Sequence, residues 1–233
     1  MPIDYTKRPA GPPAGPPSGT PSGGQPGPTG KVVLTKSAPT VSLTKKASAG
    51  GVLRVNLNWT ARPPGEQGGG FFRRREPDID LDLGCLYEFT DGSRGVVQAL
   101  GNAFRTGLPG APSPAIWLDG DDRSGAVAGG ENLYVDLQYA AHIRRVLVFA
   151  YIYDGVPNWA AARALVTLTP PDGPQIEVPL DEPRPGAQTC AVALLAPSDG
   201  DLSVHREVRY VDGAQPQLDA AYGWGIRWSA GRK

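Results

Sequence analysis

The sequence predicts an all-β domain, a two-sheet β-sandwich with short helical turns, and three observations carry that prediction. Segments with period-two alternation recur along the chain, Pro, Gly and Asp turns separate them, and no long amphipathic helical pattern interrupts them. Residues 1–30 stand apart: with 9 Pro and 7 Gly they cannot bury enough apolar surface to offset the entropy of ordering them. They are expected to form a disordered Pro/Gly-rich tail, and 31–233 the folded domain. The Pro-Pro steps favour extended polyproline II, which suits either a passive tether or docking to a proline-binding partner.

The first strands are expected around Val41 and Leu43, then over 53–59. There Leu53, Val55, Leu57 and Trp59 alternate with Arg54, Asn56, Asn58 and Thr60, the pattern of a strand with one wet face. Arg62 to Glu76 carries two prolines, four glycines and the run Arg73-Arg74-Arg75, and reads as a long exposed loop. An acidic strand follows, in which Ile79, Leu81, Leu83, Cys85, Tyr87 and Phe89 point one way and Asp78, Asp80 and Asp82 the other. Asp91-Gly92 predicts a tight turn into Val96 to Leu100.

Ile143 to Tyr153 becomes apolar on both faces after two arginines, which predicts a central strand covered on each side. Further strands are expected over 163–169, 175–180, 189–195, 202–211 and 224–228, with helical turns near 158–162 and 217–222. In the last strand Trp224 and Trp228 would share a face, for core packing or as a ligand platform.

The 23 basic and 23 acidic residues cancel, so the chain as a whole has no bias toward nucleic acid or anionic membrane. No specific nucleic-acid partner is expected. The Arg73 to Arg75 run behind Phe71 and Phe72 is either solvated or a local anion contact. The N-terminus lacks the apolar run of a secretory signal, and no later stretch reaches membrane-spanning length, so a cytoplasmic protein is expected. Cys85 and Cys190 lie in apolar stretches and read as free, buried thiols, with a single bridge between them left open. There is no Gly-x-Ser-x-Gly elbow, and His142 and His205 sit in no motif with Ser or Cys, so no enzyme is expected.

Carboxylates are the chemistry that stands out. Asp80 and Asp82 share a strand face, and the loop from Asp119 through Asp121 and Asp122 to Glu131 is rich in acid and glycine. Like charges crowd together when a cation sits among them, and calcium takes six to eight oxygens from carboxylates and from carbonyls that glycine turns expose. The candidate metal ligands are Asp80, Asp82, Asp119, Asp121, Asp122 and Glu131, and the expected ion is Ca2+. An EF-hand fails, because counting from Asp119 puts Arg123 fifth, Ser124 sixth and Gly130 twelfth. Zinc fails on the isolated histidines and cysteines. Magnesium, or a countercharge from Arg123 or Arg73 to Arg75, stays open.

At these residues the chain resembles the TerD-like tellurium-resistance and stress-response family of bacteria, in its TerA branch. The matching pieces are Val41 to Lys45, Leu53 to Trp59, Asp80 to Tyr87, Leu118 to Gly125, Glu131-Asn132-Leu133, Val146 to Trp159 and Ala221 to Gly231. The resemblance implies a calcium-binding β-sandwich without catalytic activity, which recruits other stress-response and tellurium-resistance proteins, in the cytoplasm or peripherally at the inner membrane surface. By position, Asp80 and Asp82 match the family's Asp-Leu-Asp strand, Asp121 and Asp122 the acidic pair opening its loop, and Glu131 the loop's acidic end. The chain departs from the family where Ala126, Ala128 and Gly130 replace acids, which implies a weaker site or a single ion. A calcium-dependent lipid- or carbohydrate-binding module is the alternative, on fold analogy.

Overall fold

In a computed structural model the described residues are 30–43, 50–60, 79–119, 130–155, 157–198 and 201–228. Residues 1–29, with the expected tail, the Arg73 to Arg75 loop, Asp78, and the loop segment 120–129 lie outside them.

Among the described residues thirteen strands form two sheets. The seven-stranded sheet runs in the order β1 (Lys31–Val33), β11 (Gln175–Leu180), β10 (Ala164–Thr169), β3 (Val52–Asn58), β8 (Glu131–Asp136), β7 (Ile116–Leu118), β6 (Arg105–Thr106). The six-stranded sheet runs β2 (Thr40–Ser42), β13 (Asp201–Val211), β12 (Thr189–Ser198), β9 (Ile143–Asp154), β4 (Asp80–Phe89), β5 (Arg94–Val97). Two short helices, α1 (Trp159–Ala162) and α2 (Gln215–Tyr222), complete the elements that matter below. Among the described residues no helix is long and apolar enough to cross a membrane.

Most of these elements follow from the alternation in the sequence. In β3 the side chains of Leu53, Val55 and Leu57 are fully buried and face Val166, Leu168, Leu133 and Val135 in the inter-sheet core. Long β9 lies between β12 and β4, buried on both faces as its composition requires. The turn into β5 forms at Asp91-Gly92: Gly92 takes φ 87°, and the Asp91 carboxylate accepts from Ser93 N at 2.8 Å and Ser93 Oγ at 2.6 Å. Helix α1 begins at Asn158, whose side chain accepts from Ala161 N at 3.0 Å.

Two expectations need correction. The polar-looking side of β4 is not wet, because Asp82, Gly84, Leu86 and Glu88 are buried along with the core-facing residues. A second apolar cluster covers that outer face: Leu86, Leu147, Phe149 and Ala191 of the sheet pack with Leu218 of α2 and Trp224. The segment 224–228 forms no strand either. Gly223 and Gly225 adopt φ 63° and 70°, a left-handed geometry that ends α2 and folds the chain back. The 5%-exposed Asp219 carboxylate then organises it, accepting from Gly225 N at 2.6 Å, Ile226 N at 2.8 Å and Trp228 Nε1 at 2.7 Å. The backbone donors that a strand would spend on a neighbour are spent on one carboxylate.

Three arginines hold this C-terminal cover. Arg209 donates to Ala221 O at 3.3 Å, Arg145 to Tyr222 O at 3.1 Å and Gly223 O at 3.2 Å, and Arg94 to Trp224 O at 2.8 Å. Cations at carbonyls left open by a helix end are favourable on charge and hydrogen bonding together. The Arg145 guanidinium also lies 3.7 Å from the centroid of Trp224 and donates from Nε to Glu88 at 2.6 Å, so it is paired, bonded and stacked at once. Trp224 Nε1 reaches Tyr87 O at 3.0 Å.

Trp224→Ala should lower the unfolding free energy by about 3–5 kcal/mol, the cost of emptying a buried aromatic site, measured by urea denaturation. An unchanged midpoint would mean that the cover contributes nothing to the sheet beneath it.

Candidate functional site

The acidic positions gather where the start of β4 meets the start of β8. Among the described residues β5 pairs with β4 from Cys85 to Glu88 and stops short of the opening residues of β4. Glu131 fills that position: from the other sheet, its Oε2 accepts from Leu83 N at 2.6 Å. The residue is only 2% exposed, and Asp82, one position before Leu83, is 4% exposed. Removing a carboxylate from water is costly unless hydrogen bonds or a cation replace the lost hydration.

Asp82 stands opposite Tyr151 on β9. Burial first, and then the Asp82 charge, push the Tyr151 phenol above its ordinary range, which places the carboxylate beside that ring. Asp80 stands opposite Asp154, next to a register irregularity in the β4–β9 ladder. Asp154 is exposed and its Oδ1 accepts from Gly155 N at 2.8 Å, so two acids share this end of the ladder, one half-buried and one in water. Sequence reasoning missed Asp154. Its signal was present in the Tyr153-Asp154-Gly155 end of β9, but only the antiparallel register puts it across from Asp80.

Asp119 goes elsewhere. Its Oδ2 accepts from Asn132 Nδ2 and Tyr134 Oη, both at 3.0 Å, and these side chains alternate along β8 with the buried Glu131, Leu133 and Val135. Asp119 therefore lies on the outer face of the seven-stranded sheet, the opposite side from Glu131. Asp121 and Asp122 fall outside the described residues.

Gly130 leads into β8 through a tight backbone approach. It adopts φ 59°, and a Cβ built on it would lie 2.1 Å from Leu57 O. Only glycine fits.

The remaining reactive groups are not at this site. Cys85 and Cys190 are free and buried, and burial raises both thiols far above their usual range, so neither supplies a thiolate near neutral pH. His205 Nδ1 is 3.0 Å from Thr40 Oγ1, and His142 ends the turn that precedes β9.

The donors at the start of β4 are thus carboxylate oxygens without thiol or imidazole, a set whose chemistry fits a hard cation. Among the described residues no group of three or more such side chains is placed to hold an ion.

No family model matches the chain. The tellurium-resistance protein TerA of an Alcaligenes species is 44% identical over 205 residues, which cover 87% of this chain and 58% of that relative. The chain is a relative of the tellurium-resistance protein TerA. It spans a little over half the length of that curated relative. The crystal structure of a homologue of the telluride-resistance protein TerD from Streptomyces coelicolor aligns with a TM-score of 0.49 at 20% identity, covering 76% of this chain and 98% of that one.

Two outcomes check the site. Gly130→Glu, which restores an acid of the family's loop, should destabilise the fold by about 1–3 kcal/mol through the left-handed backbone and the Leu57 carbonyl, without tightening any ion site. The native protein should show no fast reaction with a thiol-disulfide reagent at pH 8, and both thiols should become reactive on unfolding in urea.

Proposed function

We propose that this chain is a calcium-binding, non-enzymatic stress-response protein of tellurite resistance that acts by recruiting partners, in the cytoplasm or at the inner membrane surface. The observation that carries the reading is the Asp80 and Asp154 pair, opposed across a ladder within two residues of the buried Asp82 and beside the Glu131 bond to Leu83. Asp80, Asp82, Asp154 and Glu131 would be the framework ligands, and Asp121 and Asp122 would arrive with the loop. When bound, the ion would supply charge neutralisation and so order the loop as a surface for other stress-response proteins. The buried thiols support a role outside redox chemistry.

Calorimetric titration of calcium should give a saturable heat for the wild type and an affinity roughly tenfold lower or worse for Asp82→Asn and for Asp154→Asn, since affinity follows ligand charge. Absence of heat in the wild type removes the metal from the account. Affinity capture from lysate with and without chelator then reads whether partner recruitment depends on the ion.

A second reading has one observation in its favour. Tyr153, 43% exposed, stands beside Asp154, so an aromatic ring accompanies the carboxylates at the rim. A bound ion there could bridge to a lipid headgroup or a sugar, and vesicle co-sedimentation or glycan retention that requires calcium would select this reading.

A further inference from the structure

Where α2 and Trp224 cover the outer face of the six-stranded sheet, the outer face of the seven-stranded sheet carries a line of large polar and aromatic side chains. The registers align Arg105 with Trp117, Trp117 with Tyr134, and Tyr134 with Arg54, so four adjacent strands present guanidinium, indole, phenol and guanidinium in a row. The two rings stack, with centroids 5.2 Å apart and planes 16° apart. At the β6 end of the row a cleft of about 320 Å³ opens, lined by Asn102, Phe104, Arg105, Pro114, Trp117 and Leu118.

Three features make this cleft more than a gap between loops. Its rim is a turn in which Gly101 and Asn102 are both left-handed, at φ 77° and 56°, fixed by Asn102 N donating to Ala99 O at 3.0 Å and Gln98 N to Ala103 O at 3.0 Å. Asparagine adopts the left-handed conformation more readily than other non-glycine residues, and at this exposed turn it presents an amide with both donor and acceptor. Arg105 is exposed and has no ion pair among the described residues. Asp119, the acid that follows β7, is already engaged by Asn132 and Tyr134.

Indole and phenyl surfaces take a flat ring, a guanidinium takes a phosphate through two parallel hydrogen bonds, and an amide can pair with the edge of a base. The volume lies at the lower end for small-molecule sites and suits one monomer better than a polymer. We propose that this cleft binds a nucleotide, its base against Trp117, its phosphate on Arg105 and its base edge or sugar toward Asn102. The site is separate from the carboxylates at the start of β4, so its fate does not depend on calcium.

Calorimetry on the full chain tests this with AMP, GMP, CMP and UMP, and with adenosine as the arm lacking phosphate. The expected result is saturable binding of at least one nucleotide, weakened about tenfold or more by Arg105→Gln and by Trp117→Ala, and by loss of the phosphate. Arg105 is solvent-facing, so its variant keeps the fold, and Trp117→Phe, which keeps a flat ring, should retain most of the affinity. Arg54→Gln, about 14 Å away at three strand spacings, should change affinity by less than about twofold. The proposal is overturned by absence of heat with all four nucleotides or by equal affinity for adenosine and AMP. It is equally overturned if Arg54→Gln loses as much as Arg105→Gln, or if maltohexaose or oligo(dT) binds more tightly than any mononucleotide.

Discussion

One buried carboxylate ties the two sheets together at the start of β4. Glu131 opens β8 in the seven-stranded sheet, and its bond to the Leu83 amide closes the part of the β4 edge that β5 does not reach. An apolar side chain at position 131 would leave that amide without a partner, and a charged one without this bond would be stranded away from water. The bond fixes β4 and β8 relative to each other, and β8 is where the chain segment that carries Asp121 and Asp122 re-enters the sheet. Asn56 steadies the same corner, donating to Asn132 Oδ1 at 2.9 Å.

The C-terminal cover solves a different problem with the same means. A sheet of six strands that is apolar on both sides needs a second lid, and α2 is too short to cover it alone. The last turn of α2 and the chain after it complete the lid by giving carbonyls to three arginines and amides to Asp219. The buried Asp219 carboxylate is tolerable there because it accepts three hydrogen bonds, and the half-buried Arg145 because it is ion-paired, hydrogen-bonded and stacked. The sheet is tightly packed just beneath: a Cβ on Gly84 would come within 2.6 Å of the Phe149 ring, so Phe149 owes its position to the missing side chain across from it.

How far the sequence could be read depended on how local each determinant is. The strands β3, β9 and β11 were legible because alternation or an unbroken apolar run reports burial directly, and Asp91-Gly92 because turn chemistry is a matter of neighbouring residues. The second face of β4 was not, since Asp82, Gly84 and Glu88 look solvated until α2 and Trp224 are placed over the sheet. Trp224 to Trp228 alternates as a strand does, yet the outcome was decided by Asp219, whose claim on three donors in that stretch has no periodic signature. Of the candidate ligands, Asp80, Asp82 and Glu131 could be picked out as acids at strand starts. The opposition of Asp154 to Asp80, and the turning of Asp119 to the far face, are consequences of register and pleat that only the paired strands reveal.

The direction of β1 sets the geometry of anything attached ahead of it. This strand joins the seven-stranded sheet at its outermost position and runs parallel to β11, so the polypeptide enters the domain along one rim. The opposite rim, at β6, is six strand spacings away, roughly 29 Å. The first described strand and the Arg105 cleft therefore sit on opposite rims of one sheet, and a ligand in the cleft does not touch β1.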